Sequence, residues 1–411
     1  MTSKERDRLR MLAAEQLEIA YSEKNLERVA LWKRHNAYKG ERPTIHIEID
    51  TFAKEVIEPM MVCEDPFARA LEYSLLRNFV NMKYFDDDKA VAPYFQIGYD
   101  SWFQLFGHHL KERIMYNDAG VETGHHLEHI IEDLEDDFDK ITSPSIYGVN
   151  MESTKRNYER ISDVFGDILP VKITSNCLYA VPSQQVVRMM GMETMMFSMY
   201  DYPELFKEMM DRIANDYIAY FKYLEKENAL MQNHSFEVLA QGSLCFWEEE
   251  EKQGNIKTTD LWGFLDSQET VGISPQMFHE FIFPAYKKIA QNFGRLSYGC
   301  CEPVHVVWED IKTLPNLKKV SISPWCDEAF MAEKLRDSGI IYLRKPSPNY
   351  LGVGNQLDEE GFRRHIEKTI KTAQGCKLEI AQRDVYTINN DVNKVKRYVE
   401  IVRESIENYW Q

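Results

Sequence analysis

The clearest pattern in the chain is the strict alternation of residues 44–50, TIHIEID, which puts Ile45, Ile47 and Ile49 on one face and Thr44, His46, Glu48 and Asp50 on the other. This predicts a strand with one polar face. Ahead of it, Leu9, Leu12, Leu17, Leu26, Val29 and Trp32 are spread among charges with no proline before Pro43, so residues 1–40 predict a helical arm that ends at Gly40. Further strands are predicted at 94–98, 168–174, 229–232, 295–299, 320–323, 340–344 and 377–381. Helical stretches fall between them, at 65–84, 152–164 and 203–228, then from Ser274-Pro275 to Gly294, from Asp358 to Gly375 and from Asp391 onward. Ser274 is a cap with proline at the first helical position, and Met277, Phe278, Phe281 and Ile282 form the stripe behind it.

Eight strands alternating with helices predict a (β/α)8 TIM barrel over residues 44–411, with residues 1–43 as an N-terminal helical extension packed outside it. The competing fold is a doubly wound open sheet. No Gly-x-Gly-x-x-Gly follows any candidate strand, so its dinucleotide fingerprint is missing. The stretch 102–139 is acidic and irregular, and the chain shows no internal repeat and no low-complexity linker.

Composition then narrows the function. Lys plus Arg number 49 against 66 Asp plus Glu, a net charge of −17, which argues against a nucleic-acid surface. No apolar run approaches the roughly 20 residues of a membrane helix, and the N-terminus lacks the apolar core of a signal peptide, so a soluble cytoplasmic protein is expected. Seven cysteines in 411 residues are too sparse for a disulfide framework.

In a barrel, chemistry belongs at the C-terminal ends of the strands. There the sequence offers Cys300, Cys301 and Glu302 after the fifth predicted strand, Cys326 and Asp327 after the sixth, Lys345 after the seventh, and Arg383 and Asp384 after the eighth. His234, Gln268 and Glu269 lie in the long segment after the fourth. Two thiols beside a carboxylate, with His305 nearby, are ligands suited to zinc, so Cys300, Cys301 and Cys326 are the candidate metal residues. Strand parity turns Ser297, Gly299 and Cys301 inward and Leu296, Tyr298 and Cys300 outward; both sulfurs share one face only if the strand has already ended. Glu269, Glu302 and Asp384 are the candidate catalytic carboxylates, and His234, Gln268, Asp327, Lys345 and Arg383 the candidate substrate contacts, all expected around one cavity. Elsewhere, residues 125–129, HHLEH, match the letter of an inverted zinc-protease motif but read as an exposed helix start; Met189, Met190, Met192, Met195 and Met196 read as core filling, and Glu248–Glu251 as a solvated face.

Several stretches together resemble the uroporphyrinogen decarboxylase-like superfamily: 32–36 with 40–43, 165–170, 261–264 through Gln268-Glu269, Ser274-Pro275 with Glu280-Phe281, 298–302, 321–325 and Lys345-Pro346. Within it, the chain is more similar to the cobalamin-related methyltransferases than to the haem-pathway decarboxylases, whose arginine-rich N-terminal motif has no counterpart at 50–54. The resemblance implies a barrel with substrate bound at the strand C-termini. It also implies zinc held by a His-x-Cys pair at the fifth strand and a cysteine near the eighth. The His position falls on Tyr298 and the first cysteine on Cys300, while 379–384 contains no cysteine, so the implied site is a rearranged one using Cys300 or Cys301 with Glu302 or Cys326. Two functions follow as expectations. One is zinc-assisted methyl transfer between a methylcorrinoid on a separate corrinoid protein and a small molecule or thiol. The other is a metal-free decarboxylase-like lyase, or a binding protein, in which Asp384, Arg383 and Lys345 grip an acidic small molecule.

Overall fold

The structure, a computed structural model, describes residues 1–110, 112–116 and 122–411. Its centre is a parallel sheet of seven strands. In chain order the strands used below are β1 (Thr44–Ile47), β2 (Phe95–Ile97), β3 (Val171–Ile173), β4 (Leu178–Ala180), β5 (Trp262–Leu265), β6 (Arg295–Tyr298), β7 (Leu317–Ile322), β8 (Ile341–Arg344) and β9 (Lys377–Gln382). The sheet order is β1-β9-β8-β7-β6-β5-β4, and every neighbouring pair is parallel. β2 pairs in parallel with β3, which lies in the same stretch of chain as β4. The fold is therefore mixed α/β with helices between successive parallel strands, as in TIM-barrel-like proteins.

Two of the strand assignments change. Residues 229–232 are not a strand; the next strand of the sheet after Leu178–Ala180 is instead the fully buried Trp262–Leu265, whose WGFL lacks the polar alternation that marks a half-exposed strand. Residues 102–139 are not merely irregular. They include a hairpin of Glu112–Tyr116 with Glu122–Leu127, and Ser101–Gln104 pairs antiparallel with Ile146–Val149. The HHLEH stretch thus enters the second strand of that hairpin and is not a helix start; the side chains of His125 and His126 lie outside the described residues.

The arm is two helices. Thr2 and Glu5 form a capping box at the start of Ser3–Ala20, and Ser22 caps Glu23–Asn36. The first helix packs against Pro66–Val80 and Met151–Phe165, where Arg10 makes a bidentate pair with Asp167 at 2.6 and 2.7 Å. The second is not a peripheral element. Its Asn36 Nδ2 donates to the carbonyls of Leu244 and Phe246, and its His35 reaches Glu379 of β9 at 3.4 Å.

Beneath the site the sheet encloses charge. Lys319 of β7 is fully buried, with its Nζ 2.6 Å from both Glu379 and Ser243 Oγ, between the rings of Trp32 and Trp262. Ser243 belongs to a short hairpin, Val238–Ala240 with Ser243–Leu244. That hairpin touches strands from across the sheet: Gly242 O meets His46 Nδ1 of β1 at 2.5 Å, a Cβ on Gly242 would stand 3.0 Å from Ala381 of β9, and Ser243 reaches β7. A flat sheet could not put β1, β7 and β9 around one loop, so the sheet curls about it.

The free edge of β1 explains why no ladder joins β1 to β2. Ile45 and Ile47 direct their peptide groups at that edge, and side chains satisfy them. Ile45 N donates to Asp88 at 2.9 Å, Ile47 N to Asp87 at 2.8 Å, and Asn81 Nδ2 donates to Ile47 O at 2.7 Å, while the Asp88 amide donates to Ile45 O. Edge groups need partners once buried, and here carboxylates replace a strand. Asp88 is buried and also holds Arg42 and Arg403 at 3.0 Å.

Replacing Asp88 with Ala removes an acceptor from Ile45 N–H and strands two arginines. The expected loss is about 3 kcal/mol, read as a lower urea midpoint with unchanged slope; a midpoint equal to that of the parent chain refutes the edge account. A second expectation concerns acid. Burial opposes ionisation of Asp88 and Glu379, but their cationic partners win and hold both pKa values down, Glu379 to about 2 from 4.5. These carboxylates therefore stabilise the fold fully above about pH 4.5, and that stability is lost as the pH falls through each folded value, so the urea midpoint should fall between pH 4.5 and pH 2.

Candidate functional site

The C-terminal ends of the sheet strands open into a cavity of about 540 Å³, whose lining includes Tyr179, Gln241, Asp266, Gln268, Cys300 and Cys301, together with Trp325, Lys345, Arg383, Asp384 and Tyr386. They come from β4, from the segments that follow β5 to β9, and from the hairpin tip. Tyr179 belongs to β4 and stacks on Phe264 of β5 at 5.0 Å. Asp266 is the first residue after β5, and Lys345 the first after β8.

The thiol pair sits where β6 stops. The strand ends at Tyr298, and Gly299 follows at φ +100°, a conformation that L side chains rarely adopt; a Cβ there would also press on Val304 and Ser321 at 3.2 and 3.3 Å. The parity expectation of one inward and one outward cysteine therefore fails, because the alternation ends at Gly299. Both cysteines line the cavity, with sulfurs 3.6 Å apart. Glu302 fixes this turn from below. It is buried, and its two carboxylate oxygens accept from Cys300 N at 2.8 Å and Ser267 N at 3.0 Å, tying the end of β6 to the end of β5.

The pair is electrically unequal. Either sulfur can donate in this contact; with Cys300 S–H as the donor, the bond outweighs burial and brings Cys301 down to about 7, while Cys300 is pushed up by donating the proton and by burial. Lys345 and Arg383 add to the thiolate's stability, whereas Asp384, 3.9 Å from Cys301 Sγ, opposes it. Asp266 moves the other way. It is buried, one of its carboxyl oxygens has no hydrogen-bond partner, and burial, followed by the charges of Glu302 and Glu269, raises it to about 9. A neutral carboxylic acid and an acidic thiol thus share one cavity at neutral pH.

Of the residues singled out in the sequence, Gln268, Cys300, Cys301, Lys345, Arg383 and Asp384 come together in the lining. Glu302 lies behind it as the tie just described. Glu269 stands beside it, accepting from Ser183 Oγ at 2.7 Å and Gln268 Nε2 at 3.0 Å. His234 and Asp327 are elsewhere. Because 229–232 is not a strand, His234 lines a separate cavity with Lys172, Gln232 and Lys252; Asp327 is the N-cap of helix Glu328–Leu335, accepting from Ala329 N and Phe330 N. Cys326 is buried outside the lining, its sulfur 3.9 Å from the Glu302 carbonyl. Among the described residues no three His, Cys, Asp or Glu side chains assemble to hold a metal ion, so the donor set does not fit the expected zinc. Asp266, Gln241, Tyr179 and Tyr386 were missed. Asp266 was findable, as the first polar residue after the apolar run LWGFL.

No family model and no curated protein matches the chain. Among solved structures, a methyltransferase from Methanosarcina mazei has a similar fold, with a TM-score of 0.50 at 11% identity over 92% of this chain and 98% of that one. Among the described residues no helix is long and apolar enough to cross a membrane.

Alkylation by iodoacetamide, located by mass spectrometry, tests the thiol assignment. Cys301 should react first, with a rate that reaches half its maximum near pH 7, and Cys300→Ala should move that midpoint up toward the ordinary thiol value. Equal reactivity of the two cysteines, or an unmoved midpoint, counts against the S–H···S bond as the cause.

Proposed function

We propose that the chain is a methyltransferase that holds a methylated small molecule in this cavity, on a (β/α)8 barrel in which β2 completes the ring and β3 with β4 counts as one interrupted strand. The observation that carries the reading is Asp266: a buried carboxyl group with an unpartnered oxygen, in a cavity at the strand C-termini, where burial raises it to about 9. The name of the structural neighbour agrees with it.

In the reaction the bond between the methyl carbon and its heteroatom breaks. The bonding electrons stay on the heteroatom, which takes the Asp266 proton and leaves as a neutral alcohol, thiol or amine. The methyl carbon forms its new bond to a nucleophilic acceptor entering from the mouth, and the Cys301 thiolate offsets the partial positive charge on that carbon. Asp266 recovers its proton from solvent.

The cavity is sized for a small molecule, so a corrin macrocycle has to stay outside it. The residues at the mouth suit such a visitor: Trp325 and Tyr386 are 73% and 77% exposed, and such rings offer flat surfaces for a flat macrocycle. A corrinoid carried by a partner protein would supply the nucleophilic metal centre. With the third zinc ligand missing, no step runs through zinc.

The test is to incubate the chain and reduced cobalamin with methyl ethers, methyl thioethers and methylamines, and to measure the demethylated products by mass spectrometry. Turnover of one class is expected. Asp266→Asn should slow it about 10²- to 10⁴-fold with the thermal transition retained, and the parent rate should decline as the pH rises past about 9, where Asp266 loses its proton. No product from any class, or full activity in Asp266→Asn, overturns the proposal.

A further inference from the structure

Lys345 is a charged residue buried at the strand C-termini. It is 2% exposed and lines the cavity, and among the described residues no carboxylate lies within ion-pair distance of its Nζ. Its hydrogen bond goes to a neutral group, Gln241 Oε1, at 2.7 Å. The Cys301 thiolate and Glu302 act on it through space only, and a buried ammonium that no anion touches is costly, so proteins keep one where a ligand supplies the direct contact.

Gln241 is held for the purpose at a price in backbone strain. It sits at the tip of the hairpin that the sheet encloses, where Ala240, Gln241 and Gly242 have φ of +78°, +54° and +77°. Two consecutive non-glycine residues in that region are strained, and such strain gathers at ligand sites. The ammonium can only donate, so the Gln241 amide must turn its oxygen to Lys345. Among the described residues its NH₂ group has no partner, and both residues line the cavity. Lys345 and Gln241 together offer N–H donors to one anion.

The surroundings select which anion. Asp384, Glu302 and Glu48 lie near and Arg383 is already shared between Glu48 and Asp384, so a dianion such as phosphate would meet more repulsion than a monoanion. The walls are flat: the Tyr179 ring backed by Phe264, the Trp325 and Tyr386 rings, and the prolines 324, 346 and 348. We infer that Lys345 and Gln241 form a carboxylate subsite, and that the substrate is an aromatic carboxylic acid whose ring lies against Tyr179. The inference names the substrate class of the proposed methyl transfer and so rests on that reading for its place in the reaction.

Calorimetric titration of the full chain with benzoate, benzamide and cyclohexanecarboxylate tests it, since none of the three carries a methyl group to transfer. Benzoate should bind at least tenfold more tightly than either of the others. Lys345→Met should erase the preference over benzamide. Gln241→Glu, which gives Lys345 an internal carboxylate of the same shape and spares the fold, should lower benzoate affinity at least tenfold and leave benzamide unchanged. Equal binding of benzoate and benzamide, or benzoate affinity preserved in Gln241→Glu, overturns the carboxylate subsite; cyclohexanecarboxylate binding as tightly as benzoate overturns the aromatic assignment. Benzoate bound through Lys345 with no demethylation of 4-methoxybenzoate in the presence of reduced cobalamin would leave the subsite standing and remove the methyl-transfer reading.

Discussion

The structure depends on how its curled parallel sheet is filled. Where layers of apolar side chains would pack such an interior, this chain inserts a hairpin, Val238–Leu244, and meets its polar groups with polar groups from the strands. Ser243 takes Lys319, the Gly242 carbonyl takes His46, and Gln241 takes Lys345. The contacts to His46 and Lys345 answer donors that would otherwise be buried alone, at a cost larger than the bond itself returns, and Ser243 adds to the Lys319–Glu379 pair. Lys319 and Glu379 lie in the strands well below the cavity, Lys345 at its wall, and the hairpin links the two levels.

That arrangement sets the electrostatics of the cavity. Buried cations at the strand ends favour ionisation of nearby acids, yet Asp266 is raised to about 9 because burial and the adjacent charges of Glu302 and Glu269 outweigh Lys345. Cys301 goes the other way because its neighbour donates a proton to it at short range. Opposite shifts within one cavity arise from different causes, desolvation for the acid and a single S–H bond for the thiol. Glu302 serves both: it contributes charge to the Asp266 environment and fixes the backbone turn that brings Cys300 and Cys301 to the same side.

The edge of β1 is a second place where side chains do what backbone does elsewhere. Three consecutive aspartates, 86–88, follow the π-helical turn Asn81–Phe85, and two of them bond to the strand's free N–H groups. The arginines they attract, Arg42 and Arg403, come from the end of the arm and from the last helix. The N-terminal arm and the C-terminus are thereby fixed to the strand that begins the sheet, and His35 extends the same arm into the interior at Glu379.

The sequence by itself determined the parallel α/β architecture, most of the strands and the rim on which Cys300, Cys301, Lys345, Arg383 and Asp384 meet, because alternation, caps and strand-end polarity are local properties that survive without knowledge of neighbours. It could not locate β5, since a strand buried on both faces has no alternation to read, and with β5 went Asp266. It misplaced His234 for the matching reason, a strand assigned where none forms, and it read Asp327 as a ligand contact although an aspartate before a helix is equally a cap. Tertiary structure alone decided that both cysteines share one side, through the left-handed Gly299, and that the interior is closed by a hairpin tip whose Gln241 lies 104 residues from the lysine it serves. Burial, which sets whether Asp266 carries a proton and whether Lys345 lacks a counter-ion, is a sum over distant parts of the chain, and no local pattern encodes it.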